Sequence, residues 1–220
     1  MVDLKKELPE VFNDFAESRQ NAFLKVKEIK DKDIPVIGIF CTFFPQELAV
    51  AAGATCVSLC ATSDETIQDA ERDLPKNLCP LIKSSYGFAL TDKCPFFYFS
   101  DLVVGETTCD GKKKMYEYLG EFKPVHVMEL PNKNTEQGLI LWKEEIRKMI
   151  KTIEDLFGVE ITDEKLKHAI QVKNAERSAV KDFYSIMKAD DLPITGGELW
   201  HVLNGVQFDF DKEQIPQMLE

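Results

Sequence analysis

Between residues 35 and 130 the sequence alternates short apolar runs with helical patterns, and this alternation restricts the fold more than any other feature. Residues 35–40 (Pro-Val-Ile-Gly-Ile-Phe) form a continuous, β-branched run, the pattern of a strand buried on both faces of a parallel sheet. A loop from Cys41 leads to Pro45, which suits a first helical turn, and the helix runs on to a C′ stop at Gly53. A second strand is expected over 54–60. Thr62 as N-cap with Glu65 three residues on then predicts a capping box, opening a helix through Leu74. A short helix over 78–88, an apolar run at 96–99, a core strand over 102–105, a helix over 110–122 and a strand over 125–130 follow. Strands interleaved with helices in this way imply an α/β fold with a Rossmann-like parallel sheet across residues 35–131.

The flanks read differently. A leading segment, residues 1–34, carries Val11, Phe12, Phe15, Phe23, Leu24 and Val26 among charges, as an amphipathic helix over 10–30 would. After Pro131 the period changes to long, charged helical patterns at 134–157 and 163–188, with a third helix at 197–203. Residues 132–220 are therefore expected to form a helical segment after the sheet domain.

A net charge of −11 repels nucleic acid and anionic membranes, so neither is expected as a main partner. The amino terminus lacks a signal-peptide run, and no stretch has the roughly 20 apolar residues of a membrane span. The expected location is the reducing cytoplasm, where six cysteines do not make structural disulfides. All six fall between Cys41 and Cys109, which favours metal or redox chemistry over chance packing of small apolar side chains.

Ligands in open α/β sheets bind outside the carboxyl ends of the strands. Cys41 directly follows the first expected strand, Cys109 follows the strand at 102–105, and Cys79 starts a helix, where free amides favour a thiolate. Cys60 sits near the end of the second strand and is a reserve candidate. Cys56 lies deeper in that strand and Cys94 lies in a loop; both read as bystanders. No Cys-x-x-Cys pair exists, which disfavours a zinc ribbon, a thioredoxin motif and common ferredoxin spacing.

Longer motifs say more. Residues 41–54, Cys-Thr-Phe-Phe-Pro-Gln-Glu-Leu-Ala-Val-Ala-Ala-Gly-Ala, resemble the Cys-x-x-x-Pro-x-Glu-Leu…Ala-Ala-Gly signature of the 2-hydroxyacyl-CoA dehydratase family. That family is also labelled 2-hydroxyglutaryl-CoA dehydratase D-component, and it includes benzoyl-CoA reductase subunits and double-cubane cluster proteins. Asn77-Leu78-Cys79-Pro80 and residues 101–113 extend the resemblance, and residues 96–118 look closest to the short, single-subunit branch.

The resemblance implies that Cys41, Cys79 and Cys109 are thiolate ligands of a [4Fe-4S] or double-cubane [8Fe-9S] cluster. It implies an ATP-hydrolysing iron–sulfur activator as electron donor, and a homo- or heterodimer. In dehydratase members the cluster reduces the thioester carbonyl of a 2-hydroxyacyl-CoA to a ketyl radical, and water is then eliminated. Such proteins run to nearly twice this length, so a second Rossmann-like domain is expected beyond residue 220. The resemblance thus implies that this chain is a fragment, inactive by itself and unable to assemble a complete double cubane alone.

Other residues have plainer readings. Glu47, in a first helical turn, complements the helix dipole rather than donating a proton. His126, His168 and His201 lack ligand spacing and read as packed or surface histidines. Lys112-Lys113-Lys114 reads as a solvated helix face, although it could meet CoA phosphates. Trp142 and Trp200 read as core or partner-facing anchors, and Gly196-Gly197 after Thr195 as a turn. The competing function is a Rossmann-like binding module with structural or redox cysteines and no cluster. The absence of Gly-x-Gly-x-x-Gly after the first strand argues against its dinucleotide-binding form. A zinc protein with dispersed ligands is a third possibility.

Overall fold

The computed structural model describes residues 11–220, with side chains from residue 21 onward. The expectation of a polar start without a signal run, and the side chains of Val11, Phe12 and Phe15, lie outside the described residues. The leading helix α1 spans Val11–Asp31; Ala22 and Val26 are its buried apolar positions, while Phe23 and Leu24 are largely exposed.

Four short strands form one parallel sheet: β1 (Val36–Ile39), β2 (Thr55–Ser58), β3 (Leu102–Glu106) and β4 (Val125–Met128), in the order β2-β1-β3-β4. The register pairs Ile39 with Ser58 on one side and with Val104 on the other, and Glu106 with Met128. Every residue of β1 and β3 is buried, as expected for central strands covered on both faces. From β1 the chain steps outward to β2, then crosses to β3 and β4 on the other side. The switch point therefore lies between β1 and β3, the position at which α/β sheets open a crevice for ligands.

The connecting helices are α2 (Gln46–Ala51), α3 (Ile67–Ala70), α4 (Pro80–Leu90), α5 (Pro95–Phe99) and α6 (Asp110–Leu119), with α7 (Glu136–Phe157) after β4. Gly53 takes φ +68° and ends α2 as its position predicts; Gly158 does the same for α7 with φ +65°.

One local expectation needs correction, and two local features go beyond what the sequence suggests. The capping box at Thr62 and Glu65 does not form, and only α3 is helical within 62–74. Thr66 is fully buried there and donates its hydroxyl to the Ser84 carbonyl, Ser84 donates to the Ser63 carbonyl, and Glu65 pairs with Lys93. The Glu65 amide that a cap would have used instead donates to the Ser63 hydroxyl, and its carboxylate is taken by Lys93. A capping box does form at Thr195 and Glu198, at the turn that opens the expected third helix. Residues 96–99 are helical, because Pro95 occupies the first turn of α5 and the Cys94 sulfur accepts from Phe97 N.

The chain divides into two compact units: Ile29–Leu166, which holds the sheet, and the earlier part of α1 with Lys167–Glu220. The second unit contains most of α8 (Asp163–Ser185), a 3-10 turn at Ile186–Lys188, α9 (Gly196–Gln207) and a short α10 (Ile215–Met218) that the sequence did not suggest. Val202, Val206 and Ile215 form its core, with Val180, Phe183, Met218 and Leu219 packed around them. Among the described residues no helix is long and apolar enough to cross a membrane.

Trp200 is 62% exposed and so is not a core residue, and His168 and Glu213 meet at the surface, 3.3 Å apart. His126, on edge strand β4, instead shares a 2.9 Å hydrogen bond with Thr152 of α7, and its Nε2 is buried without a partner.

Two outcomes follow. A Cβ built on Gly105 would lie 2.6 Å from the Tyr116 ring, so Gly105→Ala should cost about 1–3 kcal/mol in urea unfolding through overpacking. Burial lowers the His126 pKa, so the unfolded chain binds the proton more readily. This contribution to stability is complete above the unfolded value of about 6.5 and is lost as pH falls from there through the lower folded-state value. Urea titrations at several pH values should show a shallower acid loss for His126→Asn than for the parent.

Candidate thiol site at the carboxyl ends of the strands

The two central strands deliver two cysteines to the switch point. Cys41 leaves β1, and Cys109 stands three residues past the end of β3 as N-cap of α6. The Cys41 sulfur lies 3.4 Å from the Thr108 hydroxyl, which ties it to the residue before Cys109. Cys79 is the N-cap of α4. Gly111 lets α6 approach that segment: a Cβ there would meet Ile82 at 2.8 Å and Leu78 at 2.9 Å. The amino ends of α4 and α6 are thus neighbours, and both their cysteines are exposed. Free amides and the helix dipole at such ends favour the thiolate form.

Cys60 is not in β2, as the sequence suggests, but two residues beyond it. That places it beside Cys41, since Ile39 and Ser58 are partners in the register and both chains run on in parallel. Cys56 stays within β2 opposite Ile37, and Cys94 caps α5, with burial pushing its thiol pKa up. Among the described residues, no three Cys, His, Asp or Glu side chains converge on a single ion position.

The sequence misjudged Lys112. Rather than facing solvent with its neighbours, it is 5% exposed, and its ammonium lies 3.0 Å from the Cys41 sulfur and 3.8 Å from the Cys60 sulfur. The Phe40 ring lies beneath it, 5.3 Å from the ammonium. Burial alone would lower its pKa. The hydrogen bond to Cys41 and the charges of Cys60, Cys41 and Cys109 outweigh that and raise it. Lys113 and Lys114 fit the solvated reading, pairing with Asp110 and Glu117. One signal was available: Lys112 is three residues after Cys109, and side chains at that spacing share a helix face.

Glu106 went unnoticed as well. It ends β3 fully buried, and its Oε1 accepts from Phe43 N at 2.7 Å and Phe44 N at 2.6 Å. Burial pushes its pKa up, against the opposing effects of those amides and of Lys112, and its Oε2 has no partner. The role of Glu106 is geometric: it fastens the Cys41 loop to the strand that leads to Cys109. A carboxylate closing an otherwise apolar strand is the sequence signal for it. Cys41 itself has φ +62°, a left-handed conformation unusual for a residue other than Gly, Asn or Asp. Asp33 and Asp92, the other non-glycine residues with positive φ among those described, are of the tolerant type.

A cavity of about 640 Å³ lies elsewhere, at the amino ends of the strands, between Lys30, Tyr98, Asp101, Phe122 and Lys123. Its lysines are engaged already, Lys30 with Asp101 and Lys123 with the carbonyls of Tyr98 and Ser100. The chemistry-bearing residues gather at the opposite edge.

Glu106→Ala strips the acceptor from two amides, whereas Glu106→Gln keeps it. The alanine variant should be less stable than the glutamine variant by about 1–3 kcal/mol in urea unfolding.

Residues 41–220 match the family model described as 2-hydroxyglutaryl-CoA dehydratase, D-component. The chain is 54% identical over 220 residues to the Escherichia coli (strain K12) protein named "Putative dehydratase subunit YjiM", covering all of this chain and 57% of that protein. It is 27% identical over 179 residues to the (R)-phenyllactyl-CoA dehydratase beta subunit of Clostridium sporogenes, covering 78% of this chain and 46% of that subunit. The chain thus spans about half the length of the curated relatives it matches. It belongs to the 2-hydroxyglutaryl-CoA dehydratase D-component family.

Proposed function

We propose that this protein is the iron–sulfur cluster-bearing component of a 2-hydroxyacyl-CoA dehydratase-like system. Cys41, Cys79 and Cys109 are the thiolate ligands that this chain supplies. The observation that carries the reading is the buried Lys112 ammonium held against the Cys41 sulfur at the switch point of the sheet. A buried cation whose close partners are sulfurs suits a site where those sulfurs are anionic.

The donor set fits such a group. Iron–sulfur clusters take cysteine thiolates, one to each ligated iron, so the three sulfurs need not meet at a single ion. Two of the three start helices, where backbone amides favour negative charge. A cluster bound there supplies low-potential, one-electron chemistry to the carbonyl of an acyl-CoA thioester. The protein's own residues do the rest. Glu106 holds the loop that presents Cys41, Lys112 offsets the negative charge gathered there, and Phe40 shields the ammonium from beneath.

The names of both relatives support dehydratase chemistry, and the beta-subunit name of the clostridial protein favours assembly with a different subunit. The electron donor in this reading is a separate ATP-hydrolysing iron–sulfur activator. The acyl group of the substrate would be recognised in the part of the relatives' length that this chain does not span.

Anaerobic reconstitution of the full-length gene product, followed by iron and sulfide analysis, tests the proposal. Serine at Cys41, Cys79 or Cys109 should each lower bound iron by more than half, while Cys56→Ser and Cys94→Ser should keep the parental content. Retention of iron by all three ligand variants, or no uptake by the parent, would overturn it. Unreactive, metal-free cysteines in the parent would favour the cluster-free binding module.

A further inference from the structure

We infer that Lys112 is a positioning residue for electron transfer, its ammonium holding the reduction potential of the Cys41 site higher than the thiolates alone would allow. The inference rests on the cluster-bearing reading above and adds to it a residue outside the ligand set.

The geometry has three parts. The ammonium is buried, and it donates to the sulfurs of Cys41 and Cys60. Glu106, the carboxylate that feels the Lys112 charge, directs one oxygen to the Phe43 and Phe44 amides. The stem of Lys112 is fixed from α6, whose Tyr116 rests on Gly105 and accepts from Glu106 N at 3.3 Å. The charge is therefore held at a set place beside the thiols rather than left free to swing into water.

Such a charge acts on electron uptake in one direction. One-electron reduction by a low-potential iron–sulfur donor adds one unit of negative charge to the thiolate-held group, with no bond broken and no proton required. A fixed cation a few ångströms away lowers the energy of the more negative state, and in a buried site solvent screens that effect only weakly. Hydrogen bonds to the sulfurs of a cluster and the net charge around it are among the determinants of its potential. Lys112 supplies both. Cys60, the second sulfur within its reach, serves to hold the ammonium centred and need not ligate iron.

Redox titration followed by EPR, on reconstituted protein of equal iron content, reads the effect. Lys112→Met removes the charge and keeps the stem, and Lys112→Gln removes the charge but keeps a donor for Cys41. At a poise that half-reduces the parent, both should show about a tenfold fall in the reduced-to-oxidised ratio, a shift of about 59 mV to more negative potential for one electron. Lys112→Arg should stay near the parent. Lys114→Met, which removes a surface charge from the same helix, should leave the potential unchanged.

Met and Gln variants that load iron and titrate with the parent overturn the inference and leave the cluster reading intact. If the methionine variant takes up no iron, the glutamine variant decides by the same shift. Loss of iron from both, with the parent loaded, also overturns it, because the charge would then serve assembly rather than potential. A parent that takes up no iron removes the cluster reading, and this inference with it.

Discussion

A lysine buried beside sulfur is the constraint on which the rest of the site depends. An ammonium with 5% exposure is tolerable only where partners replace the water it has lost, and for Lys112 the partners are Cys41 and Cys60. The arrangement requires β1 and β2 to run in register, so that both sulfurs emerge at one level, and α6 to start where its first turn faces back over β1. It also requires a loop that turns sharply after Phe40, and the left-handed backbone at Cys41 makes that turn.

Glu106 and Tyr116 set the precision of this arrangement. The carboxylate receives the Phe43 and Phe44 amides, which would otherwise be unpaired at a strand end, while the Glu106 amide donates to the Tyr116 hydroxyl. A single residue at the end of β3 thus joins the Cys41 loop to α6 and to the strand that leads to Cys109. The phenol is buried, which drives its pKa well above the ordinary tyrosine value and keeps it neutral as a hydrogen-bonding group. At the other end of the strands Asp101 does comparable work, accepting from Val36 N and from Lys30. The sheet is therefore fastened by a buried or half-buried carboxylate at each end, and the carboxyl end carries Cys41, Cys60 and Cys109.

Much of this was legible in the sequence, and the parts that were not have physical reasons. The strands showed through as β-branched runs, and Gly53 and Pro80 marked helix boundaries because glycine accepts the left-handed φ of a helix stop and proline suits a first turn. The order β2-β1-β3-β4 was not legible, since nothing local in a strand names its neighbour. Cys41, Cys79 and Cys109 stood out because each follows a strand or starts a helix, but whether Cys60 lay inside a strand or beyond it depended on two residues of pairing. Lys112 and Glu106 were missed for a shared reason. Charged side chains are usually exposed, and their burial here is set by tertiary contacts that no periodicity records. The capping box at Thr62 failed likewise, because Lys93, from elsewhere in the chain, takes the Glu65 carboxylate while the Glu65 amide goes to the Ser63 hydroxyl.

The central claim is that three thiols at one edge of the sheet hold a single redox group. Mass-mapped alkylation of anaerobic protein, before and after iron and sulfide loading, tests it most directly. Cys79 and Cys109 are exposed, and so should label readily in the iron-free protein. On loading, the account predicts that Cys41, Cys79 and Cys109 become protected together, in proportion to bound iron. Bound iron with Cys79 and Cys109 still labelling at their iron-free rates would contradict it.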